Sequence, residues 1–158
     1  MTGYIRGMRE RIGHATLLLC GAGVIVENAA GEVLLQRRAD NGCWSYAGGC
    51  VEIGERVEDT ARRELLEETG LVAGELTLFG VFSGPEQRYT YPNGDDVYNV
   101  SVVYTCSDFS GELRPDASEV TALRFFPVDS LPDPISPPDV SVLAQYARRK
   151  RANRGSGV

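Results

Sequence analysis

A chain of 158 residues, 42% hydrophobic and 24% charged, has the size and make-up of one globular domain with a single core. Its formal net charge of −6 argues against a nucleic-acid polymer as the main partner, because phosphate-backbone binding is driven by a surplus of Lys and Arg. The four cysteines, Cys20, Cys43, Cys50 and Cys106, form no CxxC pair and the one histidine is His14, so no zinc site is expected, and reduced, mostly buried thiols in a cytoplasmic protein are.

In chain order, Ile5, Met8 and Ile12 recur at helical spacing and predict a short helix over 3–12, docked on the domain or on a second copy of the chain. The arginines at 6, 9 and 11 ahead of an apolar run have the outline of a signal peptide. No small-residue cleavage site follows, however, and the run is too short to span a bilayer, so no membrane partner is expected. Thr16 to Val26 instead reads as a buried strand, and Glu32 to Gln36 as its hairpin partner across the turn at Asn28–Gly31. Arg56 to Thr69 contains no Gly or Pro and predicts a helix, with Gly70 where a left-handed cap belongs. Strands are expected over Leu76–Phe82, Val97–Cys106 and Leu123–Val128, the first two joined by a long loop holding Pro85, Pro92, Asn93 and Gly94. Ser136 and Pro137 open a last helix to about Arg149, whose basic end (Arg148 to Arg151) suits the negative pole of the helix dipole. Residues 1–152 thus read as one domain, with a disordered tail at 153–158.

Chemistry concentrates between Gly49 and Leu71. On a helix, Glu64, Glu67 and Glu68 stand at i, i+3 and i+4, which places three carboxylates on one face. Like charges so placed repel, and a hard divalent cation such as Mg²⁺ would compensate them while bridging to substrate phosphates. A solvated face paired with Arg62 and Arg63 is the plainer alternative. The glycine-rich approach, Ala47-Gly48-Gly49 and then Gly54, favours the cation, because it lets backbone come close to a ligand or to the helix.

This stretch resembles the Nudix box, G-x5-E-x7-R-E-U-x-E-E-x-G-U with U a bulky aliphatic residue, at every specified position. Gly49, Glu55, Arg63, Glu64, Leu65, Glu67, Glu68, Gly70 and Leu71 all fall in place. Leu34-Leu35-Gln36-Arg37-Arg38 and Trp44 before the box, and Phe125 to Pro132 after it, are also similar to the family, so the likeness spans roughly residues 15–132. One departure is Ala47, where the family commonly has proline.

The resemblance implies an α/β/α sandwich around a mixed sheet, and a Mg²⁺-dependent (or Mn²⁺-dependent) hydrolase that cuts the diphosphate linkage of a nucleotide-like small molecule. By the same resemblance, Glu64, Glu67 and Glu68 would ligate the metal with help from the Gly48 carbonyl. Glu55 would be a further acid near the metal, and Arg63 would orient the glutamates. The general base would be a box glutamate or an acid outside it: Glu119 is favoured, and Asp116, Asp95 and Asp96 are alternatives. Substrate choice would rest on Gly84 to Val97. Pro85 points towards ADP-ribose and Tyr89 or Tyr91 towards diadenosine polyphosphates, while Arg88 could pair with a terminal phosphate. A nucleoside diphosphate sugar such as ADP-ribose is the expected substrate. The alternatives are a pyrophosphohydrolase of the 8-oxo-dGTP type and a silent ligand-sensing domain. A homodimer through the N-terminal helix is a further expectation.

Overall fold

The computed structural model describes residues 3–156. The N-terminal helix α1 (Gly3–Ile12) leads into β1 (Leu17–Val26), the axis of the fold. β2 (Glu32–Arg38), β3 (Trp44–Ser45) and β4 (Ala47–Cys50) come before α2 (Val57–Thr69). After it follow β5 (Leu71–Ala73), β6 (Thr77–Phe82), a 3-10 turn at Pro85–Gln87, β7 (Arg88–Thr90), β8 (Asp96–Cys106), β9 (Phe109–Gly111), β10 (Val120–Pro127) and α3 (Pro137–Gly155).

β1 runs parallel to β8, from Leu17 beside Val97 to Val26 beside Cys106, and antiparallel to β4 on its other edge. β6 and β7 each pair antiparallel with β8, which completes a mixed five-stranded sheet. A second, antiparallel sheet has the order β10-β2-β3, and β5 pairs with β9. The helices cover opposite faces. Ala61 and Leu65 of α2 pack with Ala22, Val24, Val26 and Leu34, whereas Val142, Leu143 and Tyr146 of α3 pack with Ile25, Val33, Leu35 and Phe79. The architecture is therefore the expected α/β/α sandwich. Burying a side chain such as Leu65, which is wholly inaccessible, contributes about 1.5–3 kcal/mol.

The expected hairpin of β1 and β2 does not form. Asn28 closes the turn by accepting N–H groups from Ala30 and Glu32, but beyond the single bridge from Glu27 to Val33 the strands part. The reason lies in β2 itself. Val33 and Leu35 face α3 while Leu34 faces α2, so the strand is apolar on both sides and belongs between the helices, where β10 and β3 take its edges.

Two further expectations are corrected. α3 continues to Gly155, because Lys150 pairs with Glu27 and both Arg151 and Arg154 pair with Asp129, which holds the last turns down. The expected disordered tail therefore begins inside a helix, and its residues 157–158 lie outside the described residues. All four thiols are free, but only Cys106 is buried. Cys20 shares its face of β1 with Ala22 and Val24 but lies nearer the start of the strand, beside exposed Leu18. Ile5 and Met8 of α1 turn inward onto Leu17, Leu19 and Val97. No helix among the described residues is long and apolar enough to cross a membrane.

Candidate functional site

The inner stripe of α2, Ala61 and Leu65, fixes which way the helix faces, and that rotation sets Glu64 and Glu68 against the β4 backbone. Gly70 ends the helix at φ 78°, donating its N–H to the Leu66 carbonyl. Glu64 and Glu68 are 8% and 5% exposed, which is unusual for ionisable groups. Gly48 donates its N–H to Glu68 Oε2 at 2.9 Å, and a Cβ added to Gly49 would stand 2.4 Å from Glu64 Oε1. The paired glycines thus make the room that lets two carboxylates press against a strand.

Burial pushes Glu68 up to about 8, opposed by the Gln36 side-chain amide and the Gly48 N–H, and burial raises Glu64 as well. Glu119, on the approach to β10, adds negative potential to both. Arg63 is the local counter-charge. It grips Glu55 with two hydrogen bonds of 2.8 and 3.0 Å, reaches Glu64 Oε1 at 2.7 Å and meets Glu67 Oε2 at 3.3 Å. Glu55 is held down to about 2, first by Arg63 and then by the Thr60 hydroxyl. Its oxygens are taken up there, and Glu55 lies off the cleft that the other acids line.

That cleft, about 690 Å³, is bordered by Glu64, Glu67, Glu68, Arg63, Gly48 and Glu119. Of the alternative bases, Asp95 lines it. Asp116 instead caps the Ser118 turn, and Asp96 is tied to Thr16, Thr90 and Arg88. Arg88 is thereby committed to Asp96 and to the Tyr98 ring, away from the cleft. Tyr91 lines the cleft, with Tyr89 edge-on at 4.8 Å and bonded to Asn41, while Pro85 is exposed at the start of the 3-10 turn, whose Gln87 is buried.

Several lining residues have no signature in the sequence. Arg38, bonded twice to Asp40, and Gln36 come from β2, and Ile5 and Arg9 from α1. Long-range packing brings these together, and only the pairing of Arg38 with an acid two residues on was open to inspection. Arg38, Gly48 and Tyr91 also border a smaller pocket of about 110 Å³, which holds Asp139 at the start of α3 and Ser45. Burial pushes Asp139 up to about 7. Ser45 Oγ and Gln36 Oε1, on residues paired across β3 and β2, are buried with no hydrogen-bond partner among the described residues.

Among the described residues no three Asp, Glu, His or Cys side chains already converge as a metal cage. The donor chemistry nevertheless fits a hard divalent ion. Glu64 and Glu68 are buried carboxylates, of which Glu64 pairs with Arg63, and Glu67, whose side chain is 56% exposed, meets Arg63 at 3.3 Å and has room to turn.

The family profile described as the NUDIX domain matches residues 18–146. Over 106 residues the chain is 38% identical to an ADP-ribose pyrophosphatase from Methanocaldococcus jannaschii, covering 64% of this chain and 57% of that protein. It is 33% identical over 112 residues to a putative 8-oxo-dGTP diphosphatase from Bacillus subtilis, covering 71% and 68%. With an NAD-capped RNA hydrolase NudC from Vibrio cholerae it shares 33% identity over 100 residues, 63% of this chain but 33% of the relative. The chain thus spans little more than half of the first of these relatives and a third of the last. Among solved structures, a MutT NUDIX hydrolase from Burkholderia pseudomallei superposes with a TM-score of 0.69 at 31% identity, covering 82% of this chain and 98% of that one.

Proposed function

Because the chain belongs to the NUDIX family, whose domain is matched across residues 18–146, we propose that it hydrolyses the diphosphate linkage of a nucleoside diphosphate sugar such as ADP-ribose. The observation that carries this reading is the convergence of Glu64, Glu67 and Glu68 on one cleft of about 690 Å³, a size suited to a whole nucleotide derivative. Glu64, Glu67 and Glu68, with the Gly48 backbone, would hold Mg²⁺ or Mn²⁺. The bound ion would supply an acidified water and neutralise phosphate charge.

The chain's own part is positioning and proton transfer. Arg63, braced by Glu55, fixes the Glu64 carboxylate and limits the swing of Glu67. Glu119 borders the cleft, close enough to add to the upward push that burial gives Glu64 and Glu68, and is the group we assign to accept the water's proton. Arg38, held in the cleft by Asp40, offers a fixed cation to a phosphate oxygen. Four unpaired thiols agree with a cytoplasmic setting.

A second reading is a pyrophosphohydrolase of 8-oxo-dGTP, favoured because the Bacillus subtilis relative is matched over 68% of its length. A panel of ADP-ribose, NADH, diadenosine polyphosphates, dNTPs and 8-oxo-dGTP, assayed by phosphatase-coupled phosphate release, separates the two. We expect Mg²⁺-dependent turnover of ADP-ribose that disappears in a Glu67→Gln, Glu68→Gln variant. Turnover of 8-oxo-dGTP instead selects the second reading. A folded protein inert on every compound would replace both with ligand sensing.

A further inference from the structure

We propose that α1 builds a second-sugar subsite in the part of the cleft that Ile5 and Arg9 line. There it receives the half of a nucleoside diphosphate sugar that lies beyond the diphosphate. The proposal rests on the hydrolase reading above and says which end of its substrate goes where.

The cleft does not stop at the carboxylates. It continues to Ile5 and Arg9 of α1 and to Asn93, Asp95 and Val97 of the loop entering β8. α1 lies before residue 18, where the family match begins, and Asn93, Asp95 and Val97 lie within it. It is also firmly placed. Ile5 is 7% exposed and packs on Leu17, Leu19 and Val97. The Arg9 side chain is 9% exposed and donates to the carbonyls of Gly13, Ala15 and Asp96 at 3.1, 2.6 and 3.0 Å. A helix fastened through backbone carbonyls of the strand ends it covers is a rigid wall, suited to recognition.

The chemistry of this wall suits a sugar. Asp95 stands at its centre, with Oδ1 2.8 Å from His14 Nδ1 and Oδ2 accepting from Asn93 at 3.0 Å. Arg9 Nε, buried and without a hydrogen-bond acceptor among the described residues, is 3.5 Å from the same carboxylate. The His14 and Asn93 hydrogen bonds hold the Asp95 carboxyl below its usual range, so it remains an acceptor for hydroxyl donors. Ile5 and Leu19, each 7% exposed, give an apolar edge against which the carbon face of a sugar ring would rest. With the nucleoside on the other side of the carboxylates, a substrate ending at its phosphates would not reach this wall, whereas a diphosphate bearing a second sugar would.

The test is calorimetric binding, with Mg²⁺, of the α,β-methylene analogues of ADP-ribose and of ADP, which share a nucleoside and diphosphate but differ in the second sugar. Ile5→Trp fills the subsite, and Asn93→Leu, on an exposed loop, removes an amide from it without touching the core. We expect the wild type to prefer the ADP-ribose analogue, and the ratio of the two affinities to fall at least tenfold in each variant. If Ile5→Trp fails to fold, the Asn93→Leu ratio decides. An unchanged ratio, or an equal loss of both ligands, overturns the subsite. Failure of both analogues to bind the wild type removes the nucleoside diphosphate sugar reading, and the subsite falls with it.

Discussion

At Gly49 an added methyl would land 2.4 Å from the Glu64 carboxylate, whereas at Gly48 it would land 2.8 Å from the Ala22 carbonyl and from Gly23 Cα. The first obstacle is the end of a side chain that can move; the second is the backbone of a paired strand. Gly49→Ala is therefore expected to fold normally, with Glu64 displaced, and to weaken Mg²⁺ binding and turnover. Gly48→Ala must shift the β1–β4 pairing and should lose about 1–3 kcal/mol of stability, as overpacked sites do. Denaturant unfolding beside a Mg²⁺ titration checks the contrast; equal stability loss in both variants would refute it. The carboxylates themselves were legible in the sequence, because helical periodicity puts i, i+3 and i+4 on one face wherever the helix sits. Gln36, Arg38 and Asp139 were not, since nothing local marks a strand or helix-start residue as facing a cleft assembled from distant segments. Tyr89 and Tyr91, which the sequence offers as pointers to a diadenosine polyphosphate, pack on one another, and of the two only Tyr91 borders the main cleft.

At the scale of elements, α2 depends on how it stops as much as on how it packs. Gly70 is left-handed, and a Cβ there would meet the Glu112 carbonyl at 2.6 Å. Gly70→Ala combines strain at positive φ with that clash, so we expect a loss of at least about 1 kcal/mol, together with weaker Mg²⁺ binding as the last turn carrying Glu67 and Glu68 loosens. A melting temperature equal to that of the wild type would show that the cap does not matter. Both α2 and its cap could be read from the sequence, since a run of helix formers closed by glycine is a local signal. β3, β4, β5 and β9 could not be read, being two to four residues long and too short for alternation to show. The β1–β2 hairpin was misread because a turn reports that the chain reverses, not that the strands it joins stay paired. The α3 terminus was placed too early because the anchors of its last turns, Glu27 and Asp129, come from far along the chain.

Over the whole molecule the two classes of acid pull stability in opposite directions with pH. Glu68 is raised from 4.5 to about 8 and Glu64 is raised too, so the folded state holds their protons more tightly than the unfolded chain. Their contribution is full below about 4.5 and is lost as pH rises through about 8. Glu55 is lowered from 4.5 to about 2, and its contribution is present above 4.5 and lost as pH falls towards 2. In chelator, the melting temperature is therefore expected to decline between about pH 5 and pH 8.5, and the rise produced by saturating Mg²⁺ to grow across the same range. A Mg²⁺ increment independent of pH would mean that the buried glutamates are not where the ion binds. The net charge of −6 sits comfortably with an anionic substrate under this scheme, because the cation stands between carboxylates and phosphates.

The most direct test is calorimetric titration of Mg²⁺ into the wild type and into the Glu67→Gln, Glu68→Gln variant near pH 8, with folding of both confirmed. Binding in the wild type that weakens at least tenfold in the variant, with release of protons, is the expected result. Equal binding by both proteins would contradict the assignment of the α2 carboxylates as the cation site, and with it the hydrolytic mechanism built on them.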